Sequence, residues 1–305
     1  MTVTRKLPHP TLDEHGNWHG QSMTSPEHCK IRGALAIPSS KVIPIIFIPG
    51  VMGSNLKATK LNKGLKPGEQ AWRPPNSAYA GVKQAGKWRE VRPKNRQNIL
   101  DPEGVEVDDS GPIHIPMDWL INMSQASKER GWGTVHWGSY GDFLFKLQMT
   151  LNQTFARMGE RRIVQAHWQE IMSANREQWD GKDLPDLSEA DLLKYAKYQY
   201  PVYALGYNWL ASSKHSAAKA QKRIEEIIAW WQARKHQCDY VIIVTHSMGG
   251  LVGRAVAKAI PDKVLGVIHG VMPAVGAPIC YRRIACGTEV TSPSNGWKGN
   301  LEAGF

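Results

Sequence analysis

The sequence has no uninterrupted apolar run approaching about 20 residues, which excludes a membrane-crossing helix. Its first thirty residues are polar, with His and Pro between Lys6 and His19, and hold no apolar stretch of the kind a secretory leader needs. Synthesis in the cytoplasm without a signal peptide is therefore expected. Only four cysteines occur, Cys29, Cys238, Cys280 and Cys286, scattered and without metal-ligand spacing. Neither a disulfide framework nor a metal centre is indicated, and no cofactor is expected. No helix-turn-helix, zinc-finger or RNP pattern accompanies the basic residues, so nucleic acid is not an expected partner.

What is present is a 305-residue globular chain, long enough for one large domain or two smaller ones. The net charge of +11 is uneven. Residues 57–100 carry eleven basic side chains against two acidic ones, whereas residues 101–200 carry sixteen acidic against ten basic. The basic stretch has two readings: a surface that meets an anionic membrane, or a solvated loop.

Four short apolar runs rich in β-branched residues, without polar alternation, predict buried parallel strands. They are residues 43–48, 202–205, 240–244 and 264–268. Residues 214–234 place Ala217, Ala220, Ile224, Ile227, Ile228 and Trp231 on one 3.6-period face, and residues 251–260 form a second helix stopped by Pro261. Strand–helix alternation of this kind predicts an α/β fold with a parallel sheet covered on both faces.

The first and second strands are separated by about 150 residues, where a crossover needs only a dozen or so plus its helix. The chain thus divides into an N-terminal extension (1–39), a core (40–56 and 201–285), a cap-like insertion (57–200) and an irregular, Gly/Ser-rich tail (286–305). Residues 140–155 and 188–198 read as helices of the insertion, the first a candidate for the crossover itself. Seven of the twelve tryptophans lie in the insertion. They suit either a lipid interface or the core of a lobe poor in aliphatic residues.

The sharpest motif is Thr245-His246-Ser247-Met248-Gly249-Gly250, between a β-branched strand and a helix. That is the setting of a nucleophile elbow, where the chain reverses so tightly that the positions two before and two after the serine must be small. Gly249 meets the requirement, and Thr245 stands where glycine is usual, a tolerable departure if its side chain points away. The competing reading is a serine that merely caps the helix. A second motif, Phe47-Ile48-Pro49-Gly50-Val51-Met52-Gly53-Ser54, ends a buried strand in a glycine-containing loop that a parallel sheet would set beside the elbow.

Pro49 to Leu56, Gly206-Tyr207-Asn208-Trp209 and the His-Ser-Met-Gly-Gly elbow together resemble the α/β-hydrolase lipases of the lecithin–cholesterol acyltransferase and PGAP1-like branches. Residues 130–133, 139–143 and 271–278, with Tyr281-Arg282-Arg283, are more narrowly similar to antibacterial phospholipase effectors of type VI secretion systems. The resemblance runs from about residue 40 to about residue 285. It implies an α/β-hydrolase fold and a serine esterase acting on lipid esters. Ser247 would be the nucleophile, the backbone N–H groups of Val51 and Met248 the oxyanion donors, and a histidine held by a carboxylate the base. The partners it implies are a phospholipid, an anionic membrane, the secretion apparatus and an immunity protein, with export into target cells.

The chain departs from that pattern after Ser247, which only 58 residues follow. In this fold the acid and then the histidine come after the nucleophile. The single downstream histidine, His269, falls within the fourth predicted strand, and the downstream acids are Asp262, Glu289 and Glu302. No acid or base is therefore assigned, and the chain has the look of a C-terminally truncated hydrolase. Alternatively, His114, His136 or His167 fills in from the insertion, or the chain is a noncatalytic or partner-dependent relative. His246 is expected to pack beside the elbow, because adjacent strand side chains point to opposite faces. Arg282 and Arg283 are either a phosphate contact or a solvated pair. The functional expectation is a lipase or phospholipase, the alternatives being an acyltransferase using the same serine and an inactive binding or cargo module.

Overall fold

The computed structural model describes residues 11–12, 18–19, 39–76, 84, 88, 90–116, 120–158, 161–179, 181 and 183–286. A two-stranded antiparallel ribbon, β1 (Thr11–Leu12) with β2 (Trp18–His19), precedes the main body. The centre is a four-stranded sheet of β3 (Ile45–Ile48), β9 (Val202–Ala204), β10 (Val241–His246) and β11 (Val264–Gly270), ordered β11-β10-β3-β9 with every neighbour parallel. All four coincide with the apolar runs expected from the sequence.

The pleat of β3 sorts its side chains between two cores. Ile46 and Ile48 join Ile243, with Ala220, Ile224 and Ile227 of helix α6 (Ser213–Ala233) and Val252 and Val256 of helix α7 (Gly249–Ala259). Ile45 and Phe47 join Val202 and Ala204 under Trp132, Val135 and the first two turns of helix α3 (Trp137–Asn152). That helix lies between β3 and β9 in the chain and packs on the sheet face they share. The cores show why the runs of β3, β9 and β10 are apolar throughout, since those strands are covered on both faces of a parallel sheet. Strand β11, expected to be buried as well, is only partly so.

Between residues 57 and 200 the chain also builds a three-stranded antiparallel sheet from β4 (Leu56–Ala58), β5 (Gln70–Trp72) and β6 (Val105–Val107), ordered β5-β4-β6. Helices α1 (Pro93–Ile99), α2 (Leu120–Glu129), α4 (Ala166–Ser173) and α5 (Glu189–Tyr195) and the hairpin β7 (Phe155–Met158) with β8 (Arg161–Val164) complete this interval. Helix α5 starts on a reciprocal cap, Ser188 accepting from Asp191 N–H while the Asp191 carboxylate accepts from Ser188 N–H. A short helix, α8 (Pro278–Cys286), follows the sheet. No helix among the described residues is long and apolar enough to cross a membrane.

From β3 the chain crosses to β9 on one face, returns past β3 to β10 under α6 on the other, and continues to β11 under α7. After β3 it thus leaves in one direction and after β10 in the opposite one. The carboxyl ends of these two adjacent strands form the switch point, where open α/β sheets place their ligand crevice. The two sequence motifs stand at those two strand ends.

Candidate active site

Strand β10 ends at His246, and Ser247 takes a left-handed backbone, φ +50°. A non-glycine residue there costs roughly 1–3 kcal/mol and persists only where its surroundings impose it. They do so on both sides: Ser247 N–H donates to the Gly270 carbonyl (2.8 Å), and the Ser247 carbonyl accepts from Gly250 N–H (2.9 Å). The turn must also be narrow. A Cβ on Gly249 would lie 2.2 Å from the Pro49 carbonyl oxygen, and one on Gly50 would lie 3.0 Å from Ser247 Cβ. The loop after β3 and the turn after β10 are therefore in contact.

Helix α7 begins with Met248 at its N-cap and has no side-chain cap, so the reading of Ser247 as a capping serine is not what the structure displays. Among the described residues, neither the Val51 nor the Met248 N–H is hydrogen-bonded to a protein acceptor. Met52, also left-handed (φ +61°), completes the loop. Its carbonyl accepts from Trp72 Nε1 at 2.9 Å, and Gly53 N–H closes a turn on the Gly50 carbonyl at 3.1 Å.

Thr245, the departure from a small residue, is buried and compensated. Its methyl group occupies the space beside Gly253 of α7, where a Cβ would approach to 2.6 Å, and its hydroxyl meets His269 Nδ1 at 2.8 Å. Ser54 and Asn55 of the first motif brace the loop. Ser54 Oγ accepts from Tyr207 N–H at 3.0 Å and its carbonyl from Trp209 Nε1 at 3.3 Å, while Asn55 Nδ2 donates to the Gly133 and Val135 carbonyls. The Gly-Tyr-Asn-Trp stretch thus acts as scaffold for the loop after β3, with Asn208 Nδ2 tied to the Pro102 and Val105 carbonyls.

The five histidines considered as candidates have other neighbours. His246 Nδ1 lies 3.0 Å from the Tyr140 hydroxyl, beside the elbow. His269 lies within β11, bound to Thr245. His136 Nδ1 is 2.8 Å from Ser139 Oγ. Burial pushes the His136 ring below its ordinary value, against the opposing pull of the Pro75 and Pro74 carbonyls. His167 reaches the Thr150 carbonyl, and His114 faces the edge of Trp137. Among the described residues no histidine is hydrogen-bonded to Ser247. Asp262 sits in the single turn Pro261–Lys263 at the amino end of β11, away from the switch point. Glu289, Glu302 and the tail lie outside the described residues, as does nearly all of 1–39.

The tryptophans of the insertion whose side chains are described fall mainly in cores. Trp72, Trp132, Trp137 and Trp168 are buried, which favours the core reading over a lipid interface for these four. Trp119 and the Trp179 side chain lie outside the described residues. Part of the basic stretch meets the acidic one: Lys57 lies 3.7 Å from Glu106 across the β4–β6 pair, and Arg73 pairs with buried Asp108. Burial raises the Asp108 carboxyl, but hydrogen bonds from Ser110 and the Arg73 charge outweigh it and hold the group below the usual carboxylate range. Sequence reasoning passed over Tyr140, which touches both loops. The only signal for it was its place among the motif residues, with no role attached.

No family model matches the chain, and no curated protein matches it. Among solved structures it is similar to a chain of the crystal structure of the Tle4–Tli4 complex, at 33% sequence identity and a TM-score of 0.69. The match covers 82% of this chain and 49% of that one, so the chain spans about half the length of the protein it matches. The parallel sheet, the two crossover directions and this likeness together give the chain an α/β-hydrolase-like fold shared with that structure.

Proposed function

We propose that the chain is a serine esterase of the lipase type, acting on carboxylic esters of phospholipids as an antibacterial effector exported by a type VI secretion system. The observation that supports this most is the strained Ser247, held at φ +50° between β10 and α7 with the β3 loop against it. Strain of this kind concentrates at functional sites, and the serine does no capping work for the helix it precedes.

In the proposed reaction Ser247 Oγ bonds to the ester carbonyl carbon as its proton leaves to a base. The carbonyl oxygen becomes an oxyanion facing the N–H groups of Val51 and Met248. Collapse breaks the bond to the lysolipid oxygen, which takes up a proton, and leaves an acyl-serine. Water then releases the fatty acid and restores the hydroxyl. Losing one oxyanion donor from such a site costs about 2.7–4 kcal/mol of barrier. No cofactor enters this chemistry.

A second reading is favoured by the partners of the histidines. With none bonded to Ser247 among the described residues, the chain by itself would be a weak hydrolase or an inactive binding module. A serine without a base stays a neutral hydroxyl of low nucleophilicity. Transfer of the acyl group to an alcohol rather than water would use the same serine. The similar structure is a complex of Tle4 with Tli4, and by analogy we assign this chain a dedicated protein partner that neutralises it, an immunity protein. The target would be an anionic bilayer.

Covalent labelling with a fluorophosphonate, together with phospholipid carrying a labelled acyl chain, tests the reading. Ser247→Ala should abolish both labelling and release of labelled fatty acid while leaving the melting temperature unchanged. Undiminished labelling in a folded Ser247→Ala variant overturns the assignment. Recovery of the label in a new ester would identify acyl transfer.

A further inference from the structure

The two halves of the candidate site come from different strands, and one side chain touches both. The Tyr140 hydroxyl accepts from Gly50 N–H at 3.1 Å and lies 3.0 Å from His246 Nδ1. Gly50 immediately precedes Val51, and His246 immediately precedes Ser247. Tyr140 stands in the first turn of α3 with its ring against Phe47 of β3, the centroids 5.0 Å apart. Its approach is built into the loop, because a Cβ on Gly53 would lie 2.8 Å from Tyr140 Cε2 and 2.9 Å from its hydroxyl. Burial raises the phenol above its ordinary value, with the Gly50 N–H pulling the other way. The group therefore remains a neutral hydroxyl at pH 7. Having accepted from Gly50, its oxygen keeps a proton to give and a lone pair to offer, so it can pair with His246 Nδ1 in either tautomer of that ring.

We infer that Tyr140 is a positioning residue: its hydroxyl clips the β3 loop to the β10 elbow and so sets the Val51 and Met248 N–H groups relative to Ser247. The inference rests on the esterase reading for its consequence, though not for its geometry. It also gives part of the long interval between β3 and β9 a direct place in the site. A displacement of about 1 Å between reacting groups can cost on the order of a hundredfold in rate. Losing one clip, with the ring still packed, should cost less, about tenfold.

The experiment uses the full chain labelled with ¹⁵N-histidine, as wild type, Tyr140→Phe and His246→Ala. Tyr140→Phe keeps the ring contacts and removes only the hydroxyl. The clip predicts that the maximal rate of Ser247 phosphonylation by the fluorophosphonate falls about tenfold. The concentration for half-maximal rate should stay within twofold, and the melting temperature within a few degrees. The His246 Nδ1 resonance should shift as its hydrogen bond is lost. A purely structural tyrosine would lower the melting temperature without this split.

A fall of less than fivefold, or one carried by weaker reagent binding alone, overturns the inference. If Tyr140→Phe does not fold, His246→Ala, which removes an exposed ring, should slow phosphonylation at least threefold, and an unchanged rate overturns it. If the wild type is not phosphonylated at all, the esterase reading fails and the resonance decides. A shift in Tyr140→Phe upholds the clip, and an unmoved resonance overturns it.

Discussion

Among the described residues the central sheet has two edge strands, and their surroundings differ. At β9 every residue is buried, and three of the outward backbone groups are hydrogen-bonded. Val202 N–H donates to Gln148 Oε1 (2.8 Å), and the Val202 carbonyl accepts from Trp132 Nε1 (2.9 Å). Ala204 N–H donates to the Arg130 carbonyl (2.9 Å), and just beyond the strand Gly206 N–H reaches Thr134 Oγ1 (3.0 Å). The edge is thus closed by α3 and the segment before it. At β11, by contrast, Leu265 and Ile268 are 56% and 61% exposed, and a Cβ on Gly266 would meet nothing within 4 Å. Val271, Val275, Ile279 and Ile284, which follow, are exposed as well. Edge strands present a row of unpaired backbone groups that natural proteins cover, twist or charge. Among the described residues the same apolar strand pattern thus occurs at a covered edge and at an exposed one, and the pattern does not say which.

Removing Trp132, fully buried at the closed edge, puts this contrast to its hardest test. Trp132→Ala should destabilise the fold by about 3–5 kcal/mol, read as a lower denaturation midpoint. Ile268→Ala at the open edge should stay within about 0.5 kcal/mol, as surface substitutions do. Equal losses at the two positions would mean that β11 is covered in solution.

A smaller effect isolates the hydrogen-bonded part of the closure. Gln148→Leu preserves bulk but leaves the Val202 N–H without its acceptor, at a cost of about 1–3 kcal/mol. Hydrogen exchange at Val202 should quicken while exchange at Ile243 in the sheet centre is less affected. Unchanged protection at Val202 would show that packing alone closes the β9 edge.

The smallest effect lies outside both edges and calibrates them. The folded Asp108 carboxyl is held below the usual carboxylate range. Its contribution to stability is therefore present above the unfolded value of about 3.9 and is lost as pH falls through the folded one. Asp108→Asn should melt below the wild type at pH 7, and the two curves should converge as the pH drops below the carboxylate range. A gap independent of pH would assign the Asp108 effect to packing rather than to its charge. Trp132→Ala and Ile268→Ala, whose residues carry no charge, should show no such convergence.

Much of this fold was legible residue by residue. The four strands and helices α6 and α7 were readable because period and β-branching act locally, through side chains that must all face a core or alternate across one. The elbow was readable for a similar reason: Gly249 and the strand before it are requirements of a single turn. Thr245 was readable as tolerable only on condition that its side chain points away. What meets the condition was not readable, since its room comes from Gly253 one element later and its polar partner from His269 on a neighbouring strand. Helix α3 was expected three residues late, and its role in closing β9 was hidden, because Trp132 and Gln148 find their acceptor and donor about 50 to 70 residues away in sequence.

The strand and helix runs, the strand–turn–helix around Ser247 and the glycine-bearing loop after β3 were already written in the order of the residues, since each follows from the sterics and burial of a few consecutive positions. That Tyr140 joins those two turns, that most of the described insertion tryptophans are core, and which sheet edge is closed were settled by tertiary packing alone. Each of these depends on the distance between elements far apart in the chain, which no local periodicity encodes.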